Sequence, residues 1–250
     1  MSNHSTNQER TEEYLKKFDR EKTLKYLIKN THPIIFDVGA NVGSTLGEFK
    51  EWYPNSTVHC FEPQEECWES LEKQASQYTT NEAIINKRAA GSVSNVSATF
   101  YSHDITSGQS GFNKINTKSL DSVDLNKLSD SEAIQKYEET LNHEREVEII
   151  RSDDYMDSSG IEHVDLLKID TQGYEEECLK GIENEFNKIK IILTEIMFYD
   201  LYTKSLSFYD LEKYLIPNNF KIYDISHISK NPMNGRLDWV DAIYKNMNYD

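Results

Sequence analysis

Four acidic side chains, Asp37, Glu62, Asp170 and Glu195, each fall at or just past the end of a short apolar run. Asp37 opens the turn Asp37-Val38-Gly39-Ala40-Asn41-Val42-Gly43. Glycines in a strand-to-helix turn let the backbone fold tightly and meet a ligand with no Cβ in the way, and the following helix offers N–H donors. Asn41 stands where a dinucleotide fingerprint has its second glycine, and Asn is the side chain best suited to left-handed backbone. An NAD-type G-x-G-x-x-G is therefore absent, and so is the phosphate-binding G-x-x-x-x-G-K-S/T.

Glu62 lies 25 residues beyond Asp37, near the spacing of about 20 at which a carboxylate meets ribose hydroxyls. No Arg or Lys in the turn offsets a pyrophosphate, which Asp37 would repel. A sulfonium and an ammonium are favoured there instead. The reading is a site for S-adenosylmethionine (SAM). The alternative is a plain turn, with Asp37 capping the helix and Glu62 a surface charge.

Asp170 and Glu195 close adjacent strands in the expected order. An aliphatic hydroxyl is a poor nucleophile until its proton has a destination. The pair therefore reads as catalytic, with one carboxylate a general base, or as two ligands of a divalent cation. Asp170 doubles as a cofactor-binding residue. His103 and His143 are candidate bases because free imidazole changes charge near neutral pH, yet a lone His in a polar loop is more often solvated. Tyr199, Tyr202 and Trp239 line an acceptor pocket or, more commonly for aromatics, pack in the core.

These residues need a frame, and the patterning supplies one. Thr11–Asn30 reads as one helix with apolar positions Tyr14, Phe18, Leu24, Leu27 and Ile28. Ile34–Val38, Thr57–Phe61, Ala83–Ala89, Val164–Ile169 and Ile189–Ile196 read as buried strands, separated in part by helical stretches. Val96–Tyr101 is a short extra strand, and Val147–Ile150 is ordered. Ser207 and Asp210 form a capping box for a helix through Leu215. Phe220–Ile225 and Val240–Tyr244, without a helix between them, form an antiparallel pair joined by the loop Ser226–Trp239. The β-α-β order implies a Rossmann-like, doubly wound α/β sheet, mostly parallel with an antiparallel final strand. Ser102–Arg145 has no sustained period and reads as an insertion over the active-site rim, with a helix around Ser129–Leu141.

The runs IFDVGANVG, CFEP, VDLLKIDTQGYE and LKG resemble those of FkbM-type class I SAM-dependent methyltransferases, over roughly Pro33 to Lys245. The resemblance implies a seven-stranded sheet and methyl transfer to oxygen on sugars or small natural products. Carried over, Gly39, Ala40, Asn41 and Gly43 shape the methionine pocket. Asp37 orients the amino-acid end, Glu62 binds the ribose, and Ala89 or Ala90 lies near adenine. The division expected is an N-terminal helical extension, 1–31, and a methyltransferase domain, 32–250, carrying 102–145 as a loop or lid. Competing readings are an NAD-dependent oxidoreductase and a non-catalytic SAM-binding protein.

The formal charge of −16 disfavours a nucleic-acid substrate. No run approaches the roughly 20 apolar residues of a membrane span, and Met1–Arg10 lacks the apolar core of a secretory signal. Cys60, Cys67 and Cys178 read as reduced thiols. The expectation is a cytoplasmic enzyme acting on a small-molecule or glycan acceptor, with no nucleic-acid or membrane partner.

Overall fold

In a computed structural model the chain is described over residues 6–104, 106–117, 119 and 131–249. The first strands are β1 (Ile34–Val38), β2 (Thr57–Phe61) and β3 (Ala83–Asn86). They pair in parallel on one side of β1, and β7 (Val164–Ile169) and β8 (Ile189–Met197) continue in parallel on the other. β9 (Phe220–Lys230) and β10 (Leu237–Asn246) complete seven strands in the order β3-β2-β1-β7-β8-β10-β9. The final strand, β10, inserts antiparallel between β8 and β9. The doubly wound sheet expected from the strand pattern is the one observed.

All six residues of β7 are buried, as a strand covered on both faces by helices must be. Phe36, Leu167, Ile192 and Tyr244 pack into one core layer, and Ile35, Leu166, Ile191 and Ile243 into the other. The strand order reverses at β1, so the carboxyl ends of β1, β2 and β7 open onto one crevice, where ligands bind in such sheets.

Three elements differ from expectation. The N-terminal helix is two, α1 (Asn7–Lys17) and α2 (Arg20–Leu27). Asp19 breaks it by accepting the Lys22 amide at 2.8 Å, a cap that competes with continued helix. The third strand stops at Asn86, and Ala89–Ala90 (β4) joins a separate sheet with β5 (Val96–Ser102) and β6 (His143–Ile150). β6 thus starts four residues before Val147, in a polar stretch held to β5 by the backbone ladder and by the Thr99 hydroxyl on Glu146 at 3.0 Å. Lastly, the closing hairpin has longer strands and a shorter loop, 231–236, because exposed edge residues past Ile225 still pair with β10.

The insertion has a 3-10 turn at Ser107–Gln109 and a helix at Ser131–Glu139; residues 129–130 of the expected helix lie outside the described ones. The Ser207–Asp210 capping box is present. Among the described residues no helix is long and apolar enough to cross a membrane. The three cysteines are free and buried.

Candidate active site

The turn after β1 is built around two neighbours rather than around empty space. A Cβ on Gly39, whose φ is +80°, would lie 1.9 Å from the Asp170 carbonyl oxygen, so the next strand's backbone demands the glycine. Gly39 and Ala40 both donate N–H to the Phe61 carbonyl, at 3.0 and 3.1 Å. Asn41 has the left-handed φ of 49° expected of it. Its N–H goes to Glu62 Oε2 at 2.7 Å, while its Oδ1 accepts from Val42 at 2.8 Å. Gly43 turns the chain into the helix Ser44–Trp52 at φ 88°. The loop amides that sequence reasoning left open for a ligand are thus internally paired. The loop is a rigid wall, and recognition passes to the groups it holds.

Glu62 is the foremost of these. It is buried, with Oε1 accepting from the Gln64 N–H at 2.8 Å as well as Oε2 from Asn41. Burial raises its pKa to about 7, against the pull of the two amides and of Lys168. Each oxygen keeps a lone pair for a further donor. The carboxylate borders an open cleft, about 630 Å³ with the space continuous with solvent, together with Asn41, Ala89, Ala90, Asp170 and Gln172. Ala89 and Ala90 are on its wall. Ser107, Ser110, Phe100 and Phe112 close the opposite side. Phe112 stacks on Tyr174 at 4.0 Å and meets Phe100 edge-on at 5.3 Å. Ser107, Ser110 and Phe112 come from the segment that showed no periodicity, and Phe100 from the expected extra strand.

Asp37 does not reach the cleft. It is wholly buried, with Lys168 Nζ 3.0 Å from its Oδ1. The same ammonium donates to the Gly39 carbonyl at 2.9 Å and stands 3.7 Å from Asp170 Oδ2. Burial pushes the Asp37 carboxyl up, and Lys168 draws it back. Burial would lower Lys168, but Asp37, Asp170 and Glu195 outweigh it and hold the ammonium charged. A buried cation tied to two carboxylates and the loop fixes β1, β7 and the turn as one unit. Lys168 was visible only as one letter of a motif; a lysine inside a strand otherwise buried and mostly apolar was the signal.

Asp170 and Glu195 do come together, through Gln172. Its Nε2 donates to Asp170 Oδ1 at 2.8 Å and to Glu195 Oε2 at 3.2 Å. Its Oε1 lies 2.8 Å from the Tyr202 hydroxyl, which also reaches the Gln109 carbonyl at 2.9 Å. Gln172 sits at φ 58° with Gly173 at φ 92°, left-handed backbone of the kind found at functional sites. Burial, then Asp170, Glu175 and Asp241, raise Glu195 well above the ordinary carboxylate range. A second cleft of about 390 Å³ shares Asp170 with the first and is lined by Arg20, Glu48, Lys168, Glu195 and Asp241. Arg20 pairs with Asp241 at its rim.

The hard-cation reading finds no support. Among the described residues no group of three or more His, Cys, Asp or Glu side chains is arranged to hold a metal; an amide donor stands between Asp170 and Glu195. Nor does either histidine border the cleft. His103 is buried, accepts from the Asn142 N–H at 3.0 Å and is driven down to about 4 by that burial. His143 lies 3.2 Å from Asp104. Tyr199 packs with Ile115, Leu201 and Tyr202 in a small cluster bordered by Trp239, so of the three aromatics Tyr202 alone joins the acid pair.

Comparison with known proteins bears on this geometry. A family model described as "Methyltransferase FkbM domain" matches residues 37–222. The chain is 29% identical over 175 residues to "Methyltransferase sdnD" of Sordaria araneosa, covering 62% of each chain. It is 24% identical over 184 residues to "2-O-methyltransferase NoeI" of Sinorhizobium fredii, covering 72% of this chain and 70% of that one. The match thus spans less than two thirds of the Sordaria protein's own length. Among solved structures, an FkbM methyltransferase from Methylobacillus flagellatus KT aligns at TM-score 0.49 with 15% identity, covering 86% of this chain and 44% of that one.

Proposed function

The chain belongs to the FkbM methyltransferase family, and from that premise we propose that it transfers the methyl group of SAM to a hydroxyl on a sugar, glycan or small natural product. The observation that carries the proposal is Glu62, a carboxylate fixed by two backbone amides, with lone pairs to spare, in a cleft of about 630 Å³. Such a group suits a ribose diol, and the mostly apolar walls suit a purine. The excess of carboxylates beside it favours a cationic ligand over a pyrophosphate. Family membership likewise turns the argument away from an NAD-dependent oxidoreductase.

Bound there, SAM would supply an activated methyl group on a sulfonium, and the reaction exchanges a carbon–sulfur for a carbon–oxygen bond. The chain's own work is alignment and proton removal. Gly39, Ala40, Asn41 and Gly43 set the wall of the donor site, and Asp37 acts through Lys168. The second cleft, with Arg20, Lys168 and several carboxylates around it, matches the mixed charge of an amino-acid end. Glu195, whose environment strengthens it as a base, takes the hydroxyl proton. Gln172 holds Asp170 and Glu195 in register, leaving Asp170 to accept a hydrogen bond from donor or acceptor.

NoeI bears the name of a 2-O-methyltransferase, which supports oxygen as the methylated atom here. A charge of −16 supports an uncharged acceptor over nucleic acid or an anionic membrane, and three free, buried cysteines suit a reducing, intracellular setting. The test is calorimetric titration with SAM, S-adenosylhomocysteine and NAD, followed by release of S-adenosylhomocysteine on a pool of sugar and hydroxylated acceptors. Binding of NAD in place of SAM would overturn the proposal. Binding without turnover on any pool would leave the non-catalytic SAM-binding reading.

A further inference from the structure

The second cleft is lined by the carboxylates of Glu48, Asp170, Glu195 and Asp241 and by two cations, Arg20 and Lys168. The cations are not equivalent. Lys168 is held by Asp37 and the Gly39 carbonyl, at 3.0 and 2.9 Å, and its side chain is 8% exposed. Arg20, the first residue of α2, is 31% exposed. Among the described residues its polar contact is through Nη2 to Asp241 Oδ2. A guanidinium carries five N–H donors in a fixed fork, so most of them are unengaged at the wall of the cleft. Asp241 stands opposite Glu195 in the pairing of β10 with β8, and such cross-strand neighbours share one face of a sheet. With Asp170 beside Glu195, like charges crowd this end of the cleft, and Arg20 offsets them at Asp241.

We propose, resting on the reading of this cleft as the seat of the donor's amino-acid end, that the Arg20–Asp241 pair is the receptor for that end and opens to admit it. The donor's carboxylate takes the Arg20 guanidinium, and its ammonium takes the Asp241 carboxylate. One internal ion pair is exchanged for two, and every charge keeps a partner. Lys168 is unsuited to Arg20's part, because drawing it away strands the buried Asp37. The turn offers no better grip: the amides of Gly39, Ala40, Asn41 and Val42 are already paired. A carboxylate away from Arg20 has Glu48, Asp170 and Glu195 for neighbours. An ammonium at Asp241, by contrast, relieves the crowding of acids there. The N-terminal segment thus becomes part of the donor site, although Arg20 and Asp241 both lie outside residues 37–222 that the family domain matches.

Calorimetric titration of the full chain with three ligands tests the exchange: SAM, decarboxylated SAM, and 5′-methylthioadenosine, which lacks the whole amino-acid end. The wild type should hold SAM roughly 10- to 150-fold tighter than decarboxylated SAM, the worth of one hydrogen bond to a charged group. Arg20→Gln should abolish that preference, with affinity for SAM falling by the same factor and affinity for decarboxylated SAM not falling. Asp241→Asn should weaken both ligands together. Methylthioadenosine should bind all three proteins alike, which also shows that the variants are folded. A strut that only held α2 to the sheet would shift SAM and decarboxylated SAM in parallel, so the ratio isolates recognition of the carboxylate. A preference for SAM that survives Arg20→Gln overturns the proposal and hands the carboxylate to another group. So does a wild type indifferent to the carboxylate. A wild type that binds none of the three ligands fails the donor reading itself, and the exchange with it.

Discussion

Replacing Glu62 by alanine should cut affinity for SAM and S-adenosylhomocysteine by one to two orders of magnitude. A hydrogen bond to a charged group is worth about 1.5–3 kcal/mol, and losing one such bond to the ribose corresponds to roughly 10- to 150-fold in Kd. The structure adds a pH signature. In the free protein Glu62 is pushed up to about 7 by burial, so near pH 6 most molecules carry it protonated. Two hydroxyl donors and a neighbouring cation favour the ionised form, so binding must first expel the proton. Affinity should therefore rise as pH increases from 6 to 8, by about tenfold, and level off above that. Glu62→Gln should flatten the dependence, at a cost, because its NH₂ would face either the Asn41 or the Gln64 N–H. Isothermal titration at three pH values reads both effects, with circular dichroism confirming fold. Wild-type affinity that is flat across this range, or an alanine variant binding as tightly as the parent, would refute the ribose assignment.

The remaining expectations concern the other members of the site. Glu195→Gln should lower kcat by about 10²- to 10⁴-fold, the usual worth of a general base, a loss larger than any fall in donor affinity in the same titration. Lys168→Met strands the buried Asp37 carboxylate and should cost about 3–5 kcal/mol of stability in urea denaturation; a midpoint equal to wild type would disprove the ion pair. Gly39→Ala puts a Cβ 1.9 Å from the Asp170 carbonyl oxygen, so it should destabilise by roughly 2 kcal/mol or more through overpacking and a disfavoured φ. Gln172→Ala should uncouple the two carboxylates and shift the pH profile of turnover, where a purely structural role would leave that profile in place.

Much of the fold was legible because its signals are local and repeated. The strand Val164–Ile169 is apolar save for Asp165 and Lys168, and a run of that length between polar turns has few other fates. The cofactor-side carboxylate was legible for the same reason: Glu62 follows a strand, at a spacing set by one β-α-β unit. What stayed hidden depends on contacts across long separations. That Gly39 answers to Asp170, 131 residues on, is a fact of packing. The rim formed by Ser107, Ser110 and Phe112 comes from polar chain held by isolated bridges, Tyr101 to Gly111 and Ile115 to Tyr202, which leave no periodic trace. The break at Asp19 was missed since the apolar positions on either side share one helical period, and only the cap divides them.

The chain's opening segment, read from sequence as an extension, cannot be trimmed like a tail. Leu24, Leu27 and Ile28 sit within the core layer beneath β1, and Arg20 neutralises Asp241 at the edge of the smaller cleft. Each buried aliphatic contributes about 1.5–3 kcal/mol, so the three together rival the whole stability of many domains, about 5–15 kcal/mol. Any shortened version intended for crystallisation or acceptor screening must therefore begin before Asp19. A cut at the apparent boundary would expose a hydrophobic wound and leave an unbalanced acid beside the chemistry.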